Sequence, residues 1–186
     1  DLLLNPERLC LENVLSARRH GAQVCNYARV EEFLREGSRL VGAVVRDVLT
    51  GQVARLRAAV LVNATGPWVD HVCRLAGEAG PHRLAPTKGA HLILPGRGFE
   101  AALLLLHPRD GRVFFVIPWL EKTLVGTTDV PHDGDASHPE ASPAEVEYLC
   151  RAASRYLARP VDPAEVVWRY AGVRPLYDDG TADPSA

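Results

Sequence analysis

The run Val60-Leu61-Val62-Asn63-Ala64-Thr65-Gly66-Pro67-Trp68-Val69-Asp70 decides how this chain is read. Three apolar β-formers lead into small and polar residues, and Pro67 then opens an apolar-periodic segment. A continuous apolar run suits a strand buried on both faces of a parallel sheet. Gly66 permits a sharp reversal, and Pro67 suits the first position of a helix. The expected unit is therefore strand, turn, helix, with the turn at the carboxyl end of the strand, where open α/β sheets bind ligands. Small residues there let a flat or charged group approach the backbone, and the helix start offers N–H groups. Taken alone, the turn is better explained as an ordinary βα connection.

Working outward from it, the N-terminal side reads as one helix and a meander. Asn5 and Pro6 open a helix as N-cap and first residue. Leu11, Val14 and Leu15 share a face, Arg18, Arg19 and His20 complement the dipole, and Gly21 ends it. It reads as a packing helix. Residues 22–57 read as antiparallel strands at Val24–Tyr27, Val30–Arg35, Leu40–Asp47 and Ala54–Arg57, with a turn at Leu49-Thr50-Gly51. On the C-terminal side a helix is expected from Pro67 to Ala76, with Val69, Val72 and Leu75-Ala76 inward and Gly77 as its stop. Glu78 to His82 reads as a linker and a domain crossing.

Beyond it the pattern changes to repeated short strands: His91–Leu94, Leu103–Leu106, Val113–Ile117 closed by Pro118-Trp119, and Thr123–Thr127. Asp110-Gly111 marks a tight turn, and runs this close together favour antiparallel neighbours. Asp129–Pro139 reads as a loop. Ser142-Pro143-Ala144-Glu145 is a capping box with Pro at N1. Val146, Leu149, Cys150, Ala153 and Leu157 follow at helical spacing. Asp162-Pro163-Ala164-Glu165 repeats the cap for one turn before a strand at Val166-Val167-Trp168, and Tyr170–Leu176 follows.

Composition bounds the function. The 186 residues suit one large domain or parts of two. With 21 Lys+Arg against 23 Asp+Glu, the net charge of −2 offers nothing to nucleic acid. No apolar run approaches the roughly 18 residues of a membrane span, and no signal peptide is visible. The four cysteines, Cys10, Cys25, Cys73 and Cys150, are scattered, so a reduced, intracellular chain is expected. The chain opens at Asp1, holds no Met and ends at Pro184-Ser185-Ala186 without a closing element. It reads as an internal piece of a longer protein.

Few residues suggest chemistry. No nucleophilic triad, G-x-G-x-x-G or G-x-x-x-x-G-K-[ST] occurs. His132 and His138, in one loop with Asp133 and Asp135, hint weakly at a metal, and a solvated loop explains them better; no metal is expected. Lys88, Arg112 and Arg174 each sit beside apolar strand residues, where a cation is costly unless paired. An arginine fork suits phosphate or carboxylate. Each alone reads as a rim charge or an internal ion pair. Together they suggest a small anionic ligand.

Five motifs in order carry a resemblance: N-A-T-G-P-W-V-D (Asn63–Asp70), P-T-K-G-A-H (Pro86–His91), F-V-I-P-W (Phe115–Trp119), G-T-T-D (Gly126–Asp129) and A-G-V-R-P-L (Ala171–Leu176). From about Asn5 to Ala186 the chain resembles the FAD-dependent glycerol-3-phosphate dehydrogenases of the aerobic bacterial and mitochondrial type. A-T-G and G-T-T-D are shared more widely with flavin oxidases of the D-amino-acid oxidase type. The resemblance implies an α/β (α+β) chain with two interleaved parts. One is part of a Rossmann-like FAD-binding domain, residues 1–80. The other is a substrate-binding domain on a mixed, largely antiparallel sheet, residues 81–174, with 175–186 returning towards the FAD domain.

The implied reaction oxidises sn-glycerol 3-phosphate to dihydroxyacetone phosphate, with FAD as cofactor and quinone as the final acceptor. His91 matches the histidine near the substrate hydroxyl and suits a base, since imidazole titrates near neutrality. Its competing role is a strand histidine bonded to backbone. Arg174 matches the arginine that holds the phosphate, Arg112 more weakly a second cation, and Lys88 a third or simply an ion-pair partner. Ala64, Thr65 and Gly66 match the turn that approaches the flavin. The resemblance departs at the missing glycine-rich strand–helix and at a further arginine of the family. It therefore implies neither stable FAD binding nor turnover by this stretch alone. It also implies a cytoplasmic protein, with peripheral attachment to the inner face of the membrane as a further possibility. Two alternatives stand beside it: an amino acid or amine oxidase of the same fold, and a non-catalytic α/β module that binds a small anion or a protein.

Overall fold

The structure, a computed structural model, describes residues 5–78, 80, 84–96 and 99–178. It divides into two compact units, Asp1–Thr65 with Val69–Pro81, and Gly66–Trp68 with His82–Ala186. Most of the expected linker, and the segment 179–186, lie outside the described residues.

In the first unit, helix α1 (Pro6–Arg19) starts where expected, with the Asn5 side chain accepting from the Arg8 N–H at 3.2 Å. No residue of α1 is buried, Leu11 included. Its apolar face is therefore not covered by the described part of this unit. Strands β1 (Ala28–Glu36), β2 (Arg39–Asp47) and β3 (Val53–Arg57) form the expected antiparallel meander around Leu34, Val41 and Val44. β2 and β3 approach so closely that a Cβ on Gly42 would stand 2.0 Å from the Leu56 carbonyl oxygen. The strand expected at Val24–Tyr27 does not form: Tyr27 adopts φ +56°, which interrupts an extended run.

The run that opened the reading behaves differently at its two ends. Val60–Asn63 is not a strand, and Val60 and Val62 are 77% and 83% exposed. A strand exists by its ladder of inter-strand hydrogen bonds, and no described strand lies beside this segment. The helix does follow: a 3₁₀ turn at Gly66–Trp68, then α2 (Val69–Leu75). Gly77 ends it at φ +76°, with Gly77 N–H donating to the Arg74 carbonyl at 2.9 Å and Glu78 N–H to that of Cys73 at 3.0 Å. Arg35 Nη2 donates to the Ala76 carbonyl and ties α2 to β1.

The second unit is a sheet with one helix packed on it. Its strands are β4 (Thr87–Pro95), β5 (Leu103–Leu106), β6 (Val113–Trp119), β7 (Lys122–Gly126), β8 (Val130–Pro131) and β9 (Trp168–Arg174). The order is β5-β6-β7-β4-β8, with β9 also on β4, and every pair is antiparallel. β7 and β9 both pair with β4 over His91–Ile93, so they flank it. β8 continues the β7 side after a break at Thr127–Asp129. Gly111 closes the β5–β6 turn at φ +72°.

Helix α3 (Pro143–Ser154) carries the full capping box. It lays Val146, Leu149, Cys150 and Ala153 on Ala90, Leu92, Leu94, Phe114, Val116 and Val125. Because strand side chains alternate, β4 gives Ala90, Leu92 and Leu94 to this core and turns Gly89 and His91 to the other face.

Candidate active site

Register defines that other face. His91 stands opposite Gly126 on β7 and Tyr170 on β9, Gly89 opposite Gly172, and Thr87 opposite Arg174. Directly paired residues share a face, so His91, Tyr170 and Arg174 lie together. Two glycines make the room. A Cβ on Gly126 would be 2.3 Å from His91 Cδ2, and one on Gly89 would be 2.4 Å from Arg174 Nη2 and from Thr127 Oγ1.

The His91 ring stacks on Tyr170 at 4.9 Å and 6°. Its Nδ1 is buried without a hydrogen-bond partner. Burial, and then the charge of Arg174, push its pKa down to about 4. At neutral pH the imidazole is uncharged and able to accept a proton.

Arg174 is held by the break between β7 and β8. Nη1 donates to Asp129 Oδ1 at 3.0 Å, and Nη2 donates to Thr127 Oγ1 at 3.0 Å and the Thr128 carbonyl at 3.2 Å. Arg112 reaches the same aspartate: Nη1 donates to the Asp129 carbonyl at 2.7 Å and lies 3.6 Å from Oδ2. Asp129 thus joins two arginines far apart in sequence, each about a third or more exposed. The arrangement presents Arg174 at the edge of a face that also carries a neutral imidazole, while Arg112 reaches Asp129 from the α3 side.

Lys88 is not brought to this face. It differs from His91 by three positions, and its Nζ lies 2.8 Å from Glu145 Oε2 and 2.7 Å from the Glu140 carbonyl, on the α3 side. Both side chains are nearly buried, at 13% and 6% exposure. Burial pushes the Glu145 carboxyl upward, and hydrogen bonds from Lys88, Ser142 and Thr128 outweigh it and hold it below the usual range. On that side Lys88, Arg109, Arg112 and Tyr148 line a cleft of about 400 Å³.

The Ala64-Thr65-Gly66 turn is shaped by Asn63. Its Oδ1 accepts from the Thr65 hydroxyl at 2.7 Å and the Thr65 N–H at 3.4 Å, while its Nδ2 donates to the Val69 carbonyl at 3.0 Å. Gly66 sits at φ +57° with nothing within 4 Å of a would-be Cβ. An exposed turn with open space over its glycine fits the approach of a flat ring. The sequence holds no glycine-rich phosphate loop.

Reading the sequence residue by residue singles out Arg174 and His91, and misses Gly89, Gly126, Asp129 and Tyr170 as the parts that hold them. The signal was available in the motifs: G-T-T-D carries Gly126 and Asp129, and P-T-K-G-A-H carries Gly89. Among the described residues no three His, Cys, Asp or Glu side chains converge as a metal site, and no helix is long and apolar enough to cross a membrane.

Comparison with known proteins matches this chain to a family. Residues 1–185 match the model of the DAO family, FAD dependent oxidoreductase. Glycerol-3-phosphate dehydrogenase 2 of Mycobacterium bovis is 34% identical over 185 residues, covering 100% of this chain and 32% of that protein. Alpha-glycerophosphate oxidase of Streptococcus pyogenes is 33% identical over 190 residues, covering 98% and 31%. The chain therefore spans about a third of the length of these relatives. Among solved structures, the FAD-complexed glycerol-3-phosphate dehydrogenase of Bacillus halodurans superposes with a TM-score of 0.86 at 33% identity, covering 92% of this chain and 36% of that one. With the fold, the open sheet face and these matches together, the chain belongs to the DAO family of FAD-dependent oxidoreductases.

Proposed function

We propose that the protein carrying this chain oxidises sn-glycerol 3-phosphate to dihydroxyacetone phosphate, with residues 1–80 belonging to its FAD-binding domain and 81–174 forming its substrate-binding sheet. The observation that carries this reading is Arg174, held by Asp129 and Thr127 at the edge of a face bearing a neutral, half-buried His91. The names of the relatives, glycerol-3-phosphate dehydrogenase and alpha-glycerophosphate oxidase, support the same substrate.

In this reading Arg174 holds the phosphate, its fork suiting that anion, and Arg112 adds a second positive charge. His91 accepts the proton of the C2 hydroxyl as C2 gives up its hydride, which leaves the ketone. FAD, when bound, supplies the acceptor for that hydride. Ala64, Thr65 and Gly66 let the flavin approach the backbone. A phosphate dianion on Arg174 offsets the field that depresses His91 and so strengthens the base when substrate is present. The sequence left Lys88 as a third substrate cation or an ion-pair partner, and its ion pair with Glu145 on the opposite face supports the second.

The electron acceptor is the finer question, because the relatives' names divide between dehydrogenase and oxidase. Quinone is the proposed acceptor, with turnover proposed at the cytoplasmic face of a membrane. The test uses the full-length, FAD-loaded protein. Anaerobic addition of glycerol 3-phosphate should bleach the flavin absorbance, and a soluble quinone should restore it. Bleaching by D-amino acids instead would overturn the substrate, and restoration by oxygen alone, with peroxide released, would overturn the acceptor.

A further inference from the structure

We infer that Glu145, acting through Thr128, is a positioning residue that sets the orientation of Arg174. The inference deepens the function proposed above and rests on it only for the identity of the ligand.

Among the described residues, the acceptors of the Arg174 guanidinium lie on three consecutive residues. These are Thr127 Oγ1, the Thr128 carbonyl and the Asp129 carboxylate. They occupy the gap where the β4–β7 ladder stops at Gly126 and the β4–β8 pairing resumes at Val130. A gap in a ladder leaves backbone that something else must fix. Here the Thr128 N–H reaches the Ala90 carbonyl only at 3.4 Å, and the Thr128 hydroxyl supplies the shorter tie. Its Oγ1 accepts from the Ala90 N–H at 2.8 Å, replacing a ladder bond, and donates to Glu145 Oε1 at 2.8 Å. Thr128 is 4% exposed and Glu145 is 5% exposed.

Glu145 has a second duty that hides this one. Its other oxygen, Oε2, accepts from the Ser142 N–H at 2.9 Å and the Ser142 hydroxyl at 2.8 Å, and pairs with Lys88 at 2.8 Å. As a capping-box residue it would need only Ser142. Its carboxylate instead spans the helix start on Oε2 and the Arg174 cradle on Oε1. The sheet separates it from Arg174, so it touches no substrate. It acts by holding the peptide groups that hold the arginine. A misplacement of about 1 Å in such a group is enough to cost a large factor in rate or binding.

The test separates positioning from helix stability in the FAD-loaded, full-length protein. Thr128→Val removes the hydroxyl at nearly constant volume. It should raise KM for glycerol 3-phosphate about tenfold while kcat stays within about threefold. Thr128→Ser, which keeps the hydroxyl, should restore most of the loss. Glu145→Ala should show the same split. Ser142→Ala removes the cap and one donor to Glu145 Oε2, leaves Lys88 and the Ser142 N–H on that oxygen and Thr128 on Oε1, and should lower the melting temperature with KM within about twofold. If Ser142→Ala raises KM as much as Thr128→Val, the effect follows helix stability and the inference is overturned.

A second readout needs no turnover. With ¹⁵N-labelled arginine, the Nη–H signals of Arg174, assigned by their loss in Arg174→Lys, report whether the fork is held. They should be resolved in the wild type and averaged in Thr128→Val. Unchanged signals overturn the inference even if glycerol 3-phosphate is the substrate. Should the wild type fail to oxidise glycerol 3-phosphate, the functional proposal falls, and these signals still decide the role of Glu145.

Discussion

The two faces of β4 divide the work of the second unit. On one, Ala90 and Leu92 are fully buried beneath α3, where Leu149, Ala152 and Ala153 are equally closed off. On the other, Gly89 and Gly126 give up side chains so that Arg174 and His91 have space. The first face is filled to hold the sheet together. The second is emptied to admit a ligand. Residues three apart, Lys88 and His91, fall on different faces and do different things. Damage to the emptied face should therefore appear in kinetics, and damage to the filled face in stability.

The largest expected effect is on the emptied face. Arg174→Met should lower kcat/KM for glycerol 3-phosphate on the order of 10³-fold, about 4 kcal/mol, as expected for a charge-assisted pair lost from a partly enclosed site. Its melting temperature should change little, because the guanidinium is about a third exposed. Steady-state kinetics with calorimetry checks both. A variant that unfolds while its surviving activity keeps a normal KM would place Arg174 with the structural residues.

Next comes the mirror experiment. Leu149→Ala empties a fully buried site among Leu92, Phe114 and Val116. It should cost about 3 kcal/mol of stability by denaturant unfolding, with KM unchanged under conditions where the protein stays folded. A tenfold change in KM would show that the two faces are coupled after all. Gly126→Ala sits between these cases. Its new methyl meets the His91 ring at 2.3 Å, so the ring or the strand must move. Stability should fall by about 1–2 kcal/mol, and kcat should fall at least tenfold as the proposed base is displaced.

The division into faces was partly legible beforehand. The capping box at Ser142–Glu145, the Asp110-Gly111 turn and the run Leu103–Leu106 depend on local chemistry, and each formed where the sequence indicated. The placement of Lys88 was legible too, through period-2 alternation: a cation three residues from His91 cannot share its face on a regular strand. Val60–Asn63 was misread because apolar composition indicates what a segment can bury, whereas a strand needs a hydrogen-bonding neighbour. G-T-T-D marked Thr128 and Asp129 as parts of a motif, but their role in holding Arg174 comes from a ladder gap that only the pairing of β4 reveals. Glu145 was visible as a cap, and that explanation was complete enough to conceal its other oxygen.

The smallest effect tests whether His91 and Arg174 share the emptied face. His91 has a pKa of about 4 in the folded chain against 6.5 for a free imidazole. Between those values the unfolded chain binds a proton that the folded chain refuses. Its contribution to stability is thus complete above pH 6.5 and is lost progressively as the pH falls towards 4. Two causes depress the value, burial first and the positive charge of Arg174 second. Arg174→Met removes only the second. The His91 midpoint, followed by the ring proton shift in NMR, should therefore rise without reaching 6.5, and the acid-sensitive window should narrow from its low end. Arg174→Lys keeps the charge and should leave the midpoint near its original place. A midpoint that does not move in Arg174→Met would mean the guanidinium exerts no field on the ring, and the proposed phosphate could not then tune the base by neutralising it.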